Sequence, residues 1–165
     1  MAEVADAAAV SKPLLYHYFS TKTDLYRATV TAAADDLRNA TRPDPDLPLG
    51  PRMRAALDAH LDWIDAHAVA YRAVIQGGIS SDPVVQDIVE RSRRETVERL
   101  AEAFDVERLT DLQRVALRGW VGFLEWTSLE WLTTKTITKQ QLAELITASA
   151  AALPALIAEQ RTDQR

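Results

Sequence analysis

Between Ala7 and Thr23 the chain carries Lys12, His17 and Lys22 and no carboxylate. On a chain of formal net charge −5 this is a small positive island. Such a layout suits a protein that meets phosphate with one face and repels it elsewhere. A second group is aromatic: Trp63, Tyr71, Trp120, Phe123, Trp126 and Trp131, with Leu124 among them. Apolar walls with a few polar groups make a typical small-molecule cavity, although aromatics at helical spacing also fill ordinary cores. Arg118 and Glu125 stand seven apart on an otherwise apolar stretch. Buried, each needs a partner; they read as ligand-orienting groups, as an ion pair across a subunit boundary, or as partly exposed. His60 and His67 are also seven apart, near Asp62 and Asp65. Metal pairs on helices more often sit three or four apart, so surface or cavity-rim positions are expected and no metal. There is no Ser-His-Asp spacing, no phosphate-binding glycine loop and no paired acidic cleft. The chain has no cysteine, which excludes disulfides and thiolate metal sites. No cofactor and no catalysis are expected. The catalytic alternative is an all-α enzyme using Glu125 and Arg118 in an aromatic pocket.

The elements that must hold these groups are helices. Only five glycines stand among many Ala, Leu, Glu, Arg and Gln residues, and no stretch alternates as a strand does. The fold class is therefore all-α, and 47% apolar residues over 165 positions support a full core. In Ala2 to Leu25, Val4, Ala5, Ala8 and Val10 fall one turn apart. Ser11 is a good N-cap, and Pro13 follows in the first turn, where its missing N–H is no loss. Leu14, Leu15, Tyr18 and Phe19 give a second stripe. Thr21-Lys22-Thr23-Asp24 is a capping box opening a helix to about Thr41. Two short helices about a tight turn make a helix-turn-helix.

Arg42 to Pro51 holds four prolines and a glycine, which breaks the helix and divides a head, 1–41, from a body, 42–165. Pro51 to about His67 is helical, with Met53, Leu57, Leu61 and Ile64 on one face. A short helix from Val69 to Gln76 stops at Gly77-Gly78. Ser81-Asp82-Pro83 starts another, with Asp82 as N-cap, running to Phe104. Its inner stripe is Val85, Ile88, Val89, Ser92, Thr96, Leu100 and Phe104, and its outer face offers Glu90/Arg94 and Arg94/Glu98 pairs. Thr110 and Gln113 form a capping box for a helix to about Thr133 that is apolar nearly all round and so is expected to be central. Gly119 and Gly122 each weaken it by ~1 kcal/mol relative to Ala, so a nearby backbone or ligand is expected there. Thr138 to Gln160 is the last helix, with Leu142, Leu145, Ile146, Ser149, Leu153 and Leu156 as its seam and Pro154 kinking or ending it. The N-terminus lacks the layout of a signal peptide, and the longest apolar run is too short to span a bilayer; a cytoplasmic protein without a membrane partner is expected.

The spacing of Val10, Ser11, Leu15, Tyr16, Tyr18, Phe19, Lys22 and Leu25 resembles the operator-binding segment of the TetR (tetracycline-repressor-like) family of bacterial regulators. The resemblance covers about 20 residues with fixed spacing; the remainder resembles the family in helix pattern alone. The family usually has Gly where this chain has Ala9, and Ala is accommodated there unless the position needs a positive φ. The family's head also has a further helix, often after a basic arm, before the one at Ala2. Without it Val4, Ala8 and Leu15 are expected to be partly uncovered; an upstream start, a shortened chain and a degenerate member all fit. The resemblance implies that Ser11, Lys12, Pro13 and Leu14 face bases in the major groove and that Tyr16, His17 and Lys22 contact phosphate. It assigns Tyr18 and Phe19 to the head's own core. It implies a body that binds a small-molecule effector, here through Trp63, Tyr71, Trp120, Phe123, Leu124 and Trp131. It implies a homodimer on a palindromic operator of double-stranded DNA, paired through the last two helices with Gly119 and Gly122 in the contact. The expected function is a repressor whose ligand tilts the Thr21–Thr41 helix and releases the operator. The alternative is a ligand-binding dimer of the same fold that has lost DNA binding with its first helix.

Overall fold

The computed structural model describes residues 1–77 and 82–158. Among these residues all regular structure is helical, and no helix is long and apolar enough to cross a membrane. The order is α1 (Ala2–Ala7), α2 (Lys12–Tyr18), α3 (Lys22–Ala40), α4 (Leu49–Ala66), α5 (Ala68–Gly77), α6 (Pro83–Ala103), α7 (Asp111–Thr134), α8 (Lys139–Ala150) and α9 (Leu153–Ala158).

The starts follow side-chain chemistry. Thr21 Oγ1 accepts from the Asp24 N–H at 3.0 Å while the Asp24 carboxylate accepts from the Thr21 N–H at 3.0 Å. The same reciprocal box opens α7 with Thr110 and Gln113, and α8 with Thr138 and Gln141. Each satisfies two amides that a helix leaves unbonded. Asp82 caps α6, accepting from the Val84 N–H at 3.0 Å, with Pro83 next in line. Ser81 and Gly78, the rest of those expected signals, lie outside the described residues. α4 begins earlier than expected, at Leu49, so that Pro51 sits inside its first turn, where no N–H is needed.

Val30, Ala33 and Ala34 of α3 share one buried cluster with Leu61 and Ile64 of α4, Tyr71 of α5, Val85 of α6, Leu132 of α7 and Ile146 of α8. Tyr71, Leu61 and Ile64 are wholly enclosed; emptying such a position, as in Leu61→Ala, costs about 2–5 kcal/mol. A second cluster joins Val97, Leu100 and Ala101 of α6 to Leu117 and Val121 of α7 and Leu153 of α9.

Two expectations fail here and two are narrowed. α7 is not enclosed: Leu112, Val115 and Trp126 are more than half exposed along one face that also carries Gly119. An apolar residue on every side gave no clue to which side the chain would cover. Among the described residues nothing lies within 4 Å of a Cβ added at Gly119 or Gly122, so of the expected neighbours only a ligand or a second copy is left to account for them. The break expected at Pro154 is present but comes earlier: α8 ends at Ala150, and Pro154 sits in the first turn of α9, where its ring is tolerated. Leu142, Ile146 and Leu153 are buried as expected, Leu145 is 46% exposed, and the Leu156 side chain lies outside the described residues. Glu90 reaches across to Arg118 at 2.5 Å, and lies 4.0 Å from Arg93, instead of pairing with Arg94.

Candidate nucleic-acid interface and ligand cavity

α1 and α2 pack on each other, with Ala5 and Leu15 as their buried residues. Leu15 is thus covered, contrary to expectation, whereas Val4 and Ala8 are open. The turn between them is a complete Schellman motif: the Ala9 N–H donates to Asp6 O and the Val10 N–H to Ala5 O. That motif puts Ala9 at φ 52. The position does need a positive φ, so Ala is not neutral there; its Cβ clashes where glycine has none.

Ser11 caps α2, its Oγ accepting from the Leu14 N–H at 3.3 Å. Ser11, Lys12, Pro13, Leu14, Tyr16, His17 and Lys22 are all exposed, Leu14 at 44% and Tyr16 at 45%. Tyr18 was expected in the head's core and is 71% exposed. It stands edge-on to His17, ring centroids 5.3 Å apart, at the end of α2, where no described element covers it. Phe19 is half-buried.

α3 runs from this head into the body core and is pinned to α6 twice. Near the head, Arg27 donates to both Asp82 oxygens at 3.0 and 3.2 Å. The Arg27 bond holds the Asp82 carboxyl below its usual range and raises the guanidinium in turn. Eleven residues later, three helical turns on, Arg38 donates to Glu95 at 3.1 Å.

The C-terminal end of α3 borders a cavity of about 150 Å³ walled by α4, α5, α6 and α7. Leu57, Val74, Ile75, Val89, Leu100 and Leu124 supply much of its apolar surface. Of the aromatics expected there, Tyr71 and Trp120 line it, as does Leu124. Trp63 turns instead toward α3 and donates its indole N–H to Asp36 at 2.7 Å. Trp131 donates to Ile137 O at 2.9 Å under the Lys135 ammonium. Phe123 packs against the main core, and Trp126 is on the open face of α7. An indole N–H buried without an acceptor is costly, so the buried Trp63 and Trp131 go where their donors are met.

The polar lining is richer than the sequence indicated. His60 faces Tyr71 edge-on at 5.6 Å, with Nε2 3.4 Å from Ser128 Oγ. Burial pulls its imidazole down to about 4, so it is neutral. Burial likewise raises the Tyr71 phenol, whose O–H points to Glu125 O at 3.5 Å. Glu125 accepts from Arg93 Nε at 2.9 and 3.0 Å. Arg118 is engaged elsewhere, with Glu90, so the two residues of the catalytic alternative do not meet. His67 is away from the cavity, stacked on Trp63, its Nδ1 at 2.9 Å from Trp63 O. Arg38, Arg52, Arg93 and Arg99 also border the cavity. These arginines were not expected in it, and His60, expected at the surface or the cavity rim, is buried in its wall. Ser92 and Thr96 interrupting the apolar stripe of α6 were the available signal; Arg52 had none.

Comparison with known proteins agrees with this anatomy. Residues 49–161 match the family described as tetracyclin repressor-like, C-terminal domain, and residues 1–29 match bacterial regulatory proteins, tetR family. The HTH-type transcriptional activator FasR of Mycolicibacterium smegmatis is 38% identical over 89 residues, 52% of this chain. That match spans 40% of the relative's length. The crystal structure of a tetR-family transcriptional regulator from Streptomyces coelicolor superposes with a TM-score of 0.81 at 27% identity, covering 99% of this chain and 79% of that one. With both ends matched in their expected places, the chain belongs to the TetR family of bacterial regulatory proteins.

Proposed function

We propose that the chain is a ligand-responsive, DNA-binding transcriptional regulator, working in the cytoplasm as a homodimer and not as an enzyme. The observation that carries this is the exposure of Ser11 to Leu14, Tyr16 and His17 on one short capped helix, with Lys22 exposed at the start of the long helix that follows and ends at a cavity. Ser11 to Leu14 would reach base edges; Tyr16, His17 and Lys22 would grip phosphate. In the effector site Tyr71, Trp120 and Leu124 hold the ligand, whereas Trp63, Phe123 and Trp131 support it from outside. The division at residues 41 and 42 then separates reading from sensing, with α3 as the shaft between them.

The mechanism is a shift between two arrangements of α3. Its far end touches the cavity through Leu37 and Arg38, and its near end is held by Arg27 on Asp82. Ligand that moves Arg38 moves the shaft, and the spacing of two heads no longer fits one face of the duplex. Pairing uses the open face of α7, Leu112, Val115, Gly119 and Trp126, beside Leu145 of α8. Repression follows when the operator overlaps the promoter. Activation is the second reading, favoured by the name of the Mycolicibacterium relative.

The test is binding to DNA from the gene's own promoter over a salt series. Lys22→Ala is expected to weaken all sequences alike and to lower the salt slope by about 1, as one lost phosphate contact does. Equal binding by Lys22→Ala, or no retardation of promoter DNA by the dimer, sinks the DNA-binding reading. A promoter fusion in cells with and without the gene separates repression from activation.

A further inference from the structure

The cavity wall holds four arginines, Arg38, Arg52, Arg93 and Arg99, against one carboxylate, Glu125. Two are already matched: Arg93 by Glu125 at 2.9 Å, and Arg38 by Glu95 at 3.1 Å and Asp35 at 2.8 Å. The other two are not. Among the described residues no carboxylate lies within 4.0 Å of either guanidinium. Arg99 has only neutral acceptors, Arg38 O at 3.4 Å and Thr96 Oγ1 at 3.2 Å. Arg52 Nε is sealed from solvent with no hydrogen-bond partner at all.

The contrast between the matched and unmatched members is informative. Burial pulls both Arg93 and Arg99 down. At Arg93 the bond and charge of Glu125 more than restore it, leaving the group raised. At Arg99 the more distant Glu95 and Glu102 do not, and the group stays lowered. An arginine remains charged regardless, so the cavity carries two cations that no carboxylate among the described residues neutralises at close range. A half-buried charge without a counterion is costly. Beside these groups the wall is apolar, from Leu57 through Val74 and Val89 to Leu124. Elsewhere an apolar cavity of roughly this size takes up one benzene.

We propose that the ligand is an amphipathic organic anion. Its carboxylate is seated between Arg52 and Arg99, and its short hydrocarbon body lies against the apolar wall. This rests on the reading of the cavity as the effector site and narrows it to a chemical class. The head would pair with the Arg52 and Arg99 guanidinium groups and bring an opposite charge that the lining lacks. Because Arg99 also donates to the backbone of Arg38, the head would sit one hydrogen bond from the end of α3.

The experiment uses a matched pair of benzene-sized molecules, benzoate and benzyl alcohol, titrated into the whole protein by calorimetry, with indole fluorescence from Trp120 in the wall as a second signal. Benzoate is expected to bind at least about tenfold tighter than benzyl alcohol, the scale of one charge-assisted bond. Arg52→Leu and Arg99→Leu should each abolish the preference while benzyl alcohol binding persists. Arg52→Lys and Arg99→Lys keep the charge and should keep part of it, which preserves the test if a leucine variant fails to fold. Arg94→Leu, on the exposed side of α6, should change nothing. Equal binding of acid and alcohol, or a preference that survives both leucine variants, overturns the anionic head but leaves the cavity as a ligand site. Binding of neither by the folded protein overturns both.

Discussion

At the residue scale, Ala9 is where the head departs from what its turn requires. The Schellman geometry holds it at φ 52, and an L-residue with a Cβ is strained there. Ala9→Gly is therefore expected to stabilise the protein by about 1 kcal/mol, read as a higher urea midpoint without a change in slope. No gain would mean that the α1–α2 turn opens independently of the body. His60 makes a second prediction. Burial keeps its imidazole neutral in the fold and pulls it down to about 4, against an ordinary value of 6.5. Above about 6.5 both folded and unfolded chains hold it neutral, so it contributes nothing to pH dependence there. Below that the unfolded chain takes up a proton that the fold refuses, and stability falls with pH. The loss is on the order of 3 kcal/mol by about pH 4. His60→Gln should flatten that slope between about pH 6.5 and pH 4 in denaturation curves. An unchanged slope would place the acid sensitivity in other groups. These residues show what the sequence withheld. The N-caps at Ser11, Thr21, Asp82 and Thr110 were legible because capping is a matter of three or four neighbours. The left-handed residues Ala9, Asp105 and Lys135 were not, since none is the glycine that marks such a turn.

At the scale of elements, α7 is the case where pattern reading fails. Hydrophobic period locates a buried face only when the opposite face is polar. α7 offers Leu112, Val115 and Trp126 on one side and Leu117, Val121 and Trp131 on the other; the first side is open and the second buried. The arrangement of neighbouring helices decided between them, and that is not local information. The same limit hid the cavity. A long polar side chain directed inward looks, in one sequence, like one directed outward, so Arg52 gave no sign and Arg99 only the break that Ser92 and Thr96 make in the apolar stripe of α6. The open face makes a prediction that separates one copy from two. With nothing within 4 Å, Gly119→Ala should stabilise α7 in a lone chain by about 1 kcal/mol through helix propensity. If two α7 faces meet, the added methyl falls in the contact. Sedimentation should then show a weaker dimer even as the dilute protein resists denaturant better. A gain in both would move the pairing surface elsewhere.

At the scale of the molecule, α3 ties the two ends together. It begins at an exposed head, crosses the main core through Val30, Ala33 and Ala34, and ends at the cavity. Arg27→Ala removes the pin nearest the head while leaving the cavity and the exposed face of α2 intact. Under the proposed mechanism, ligand affinity should hold within about twofold while the change in operator affinity on adding ligand shrinks several-fold. Full coupling in Arg27→Ala would show that the message travels another way. Asp82 is a poorer site for this test, because it also caps α6. Trp120 carries a further consequence. It walls the cavity, and its indole N–H is held at 3.0 Å by Ser149 of α8. If α8 lies in the proposed seam between two copies, occupancy and self-association would draw on one shared hydrogen bond, and such linkage acts equally in both directions. Apparent affinity for the small molecule would then drift with how much protein is in the tube, and a titration at a single dilution would measure both equilibria together.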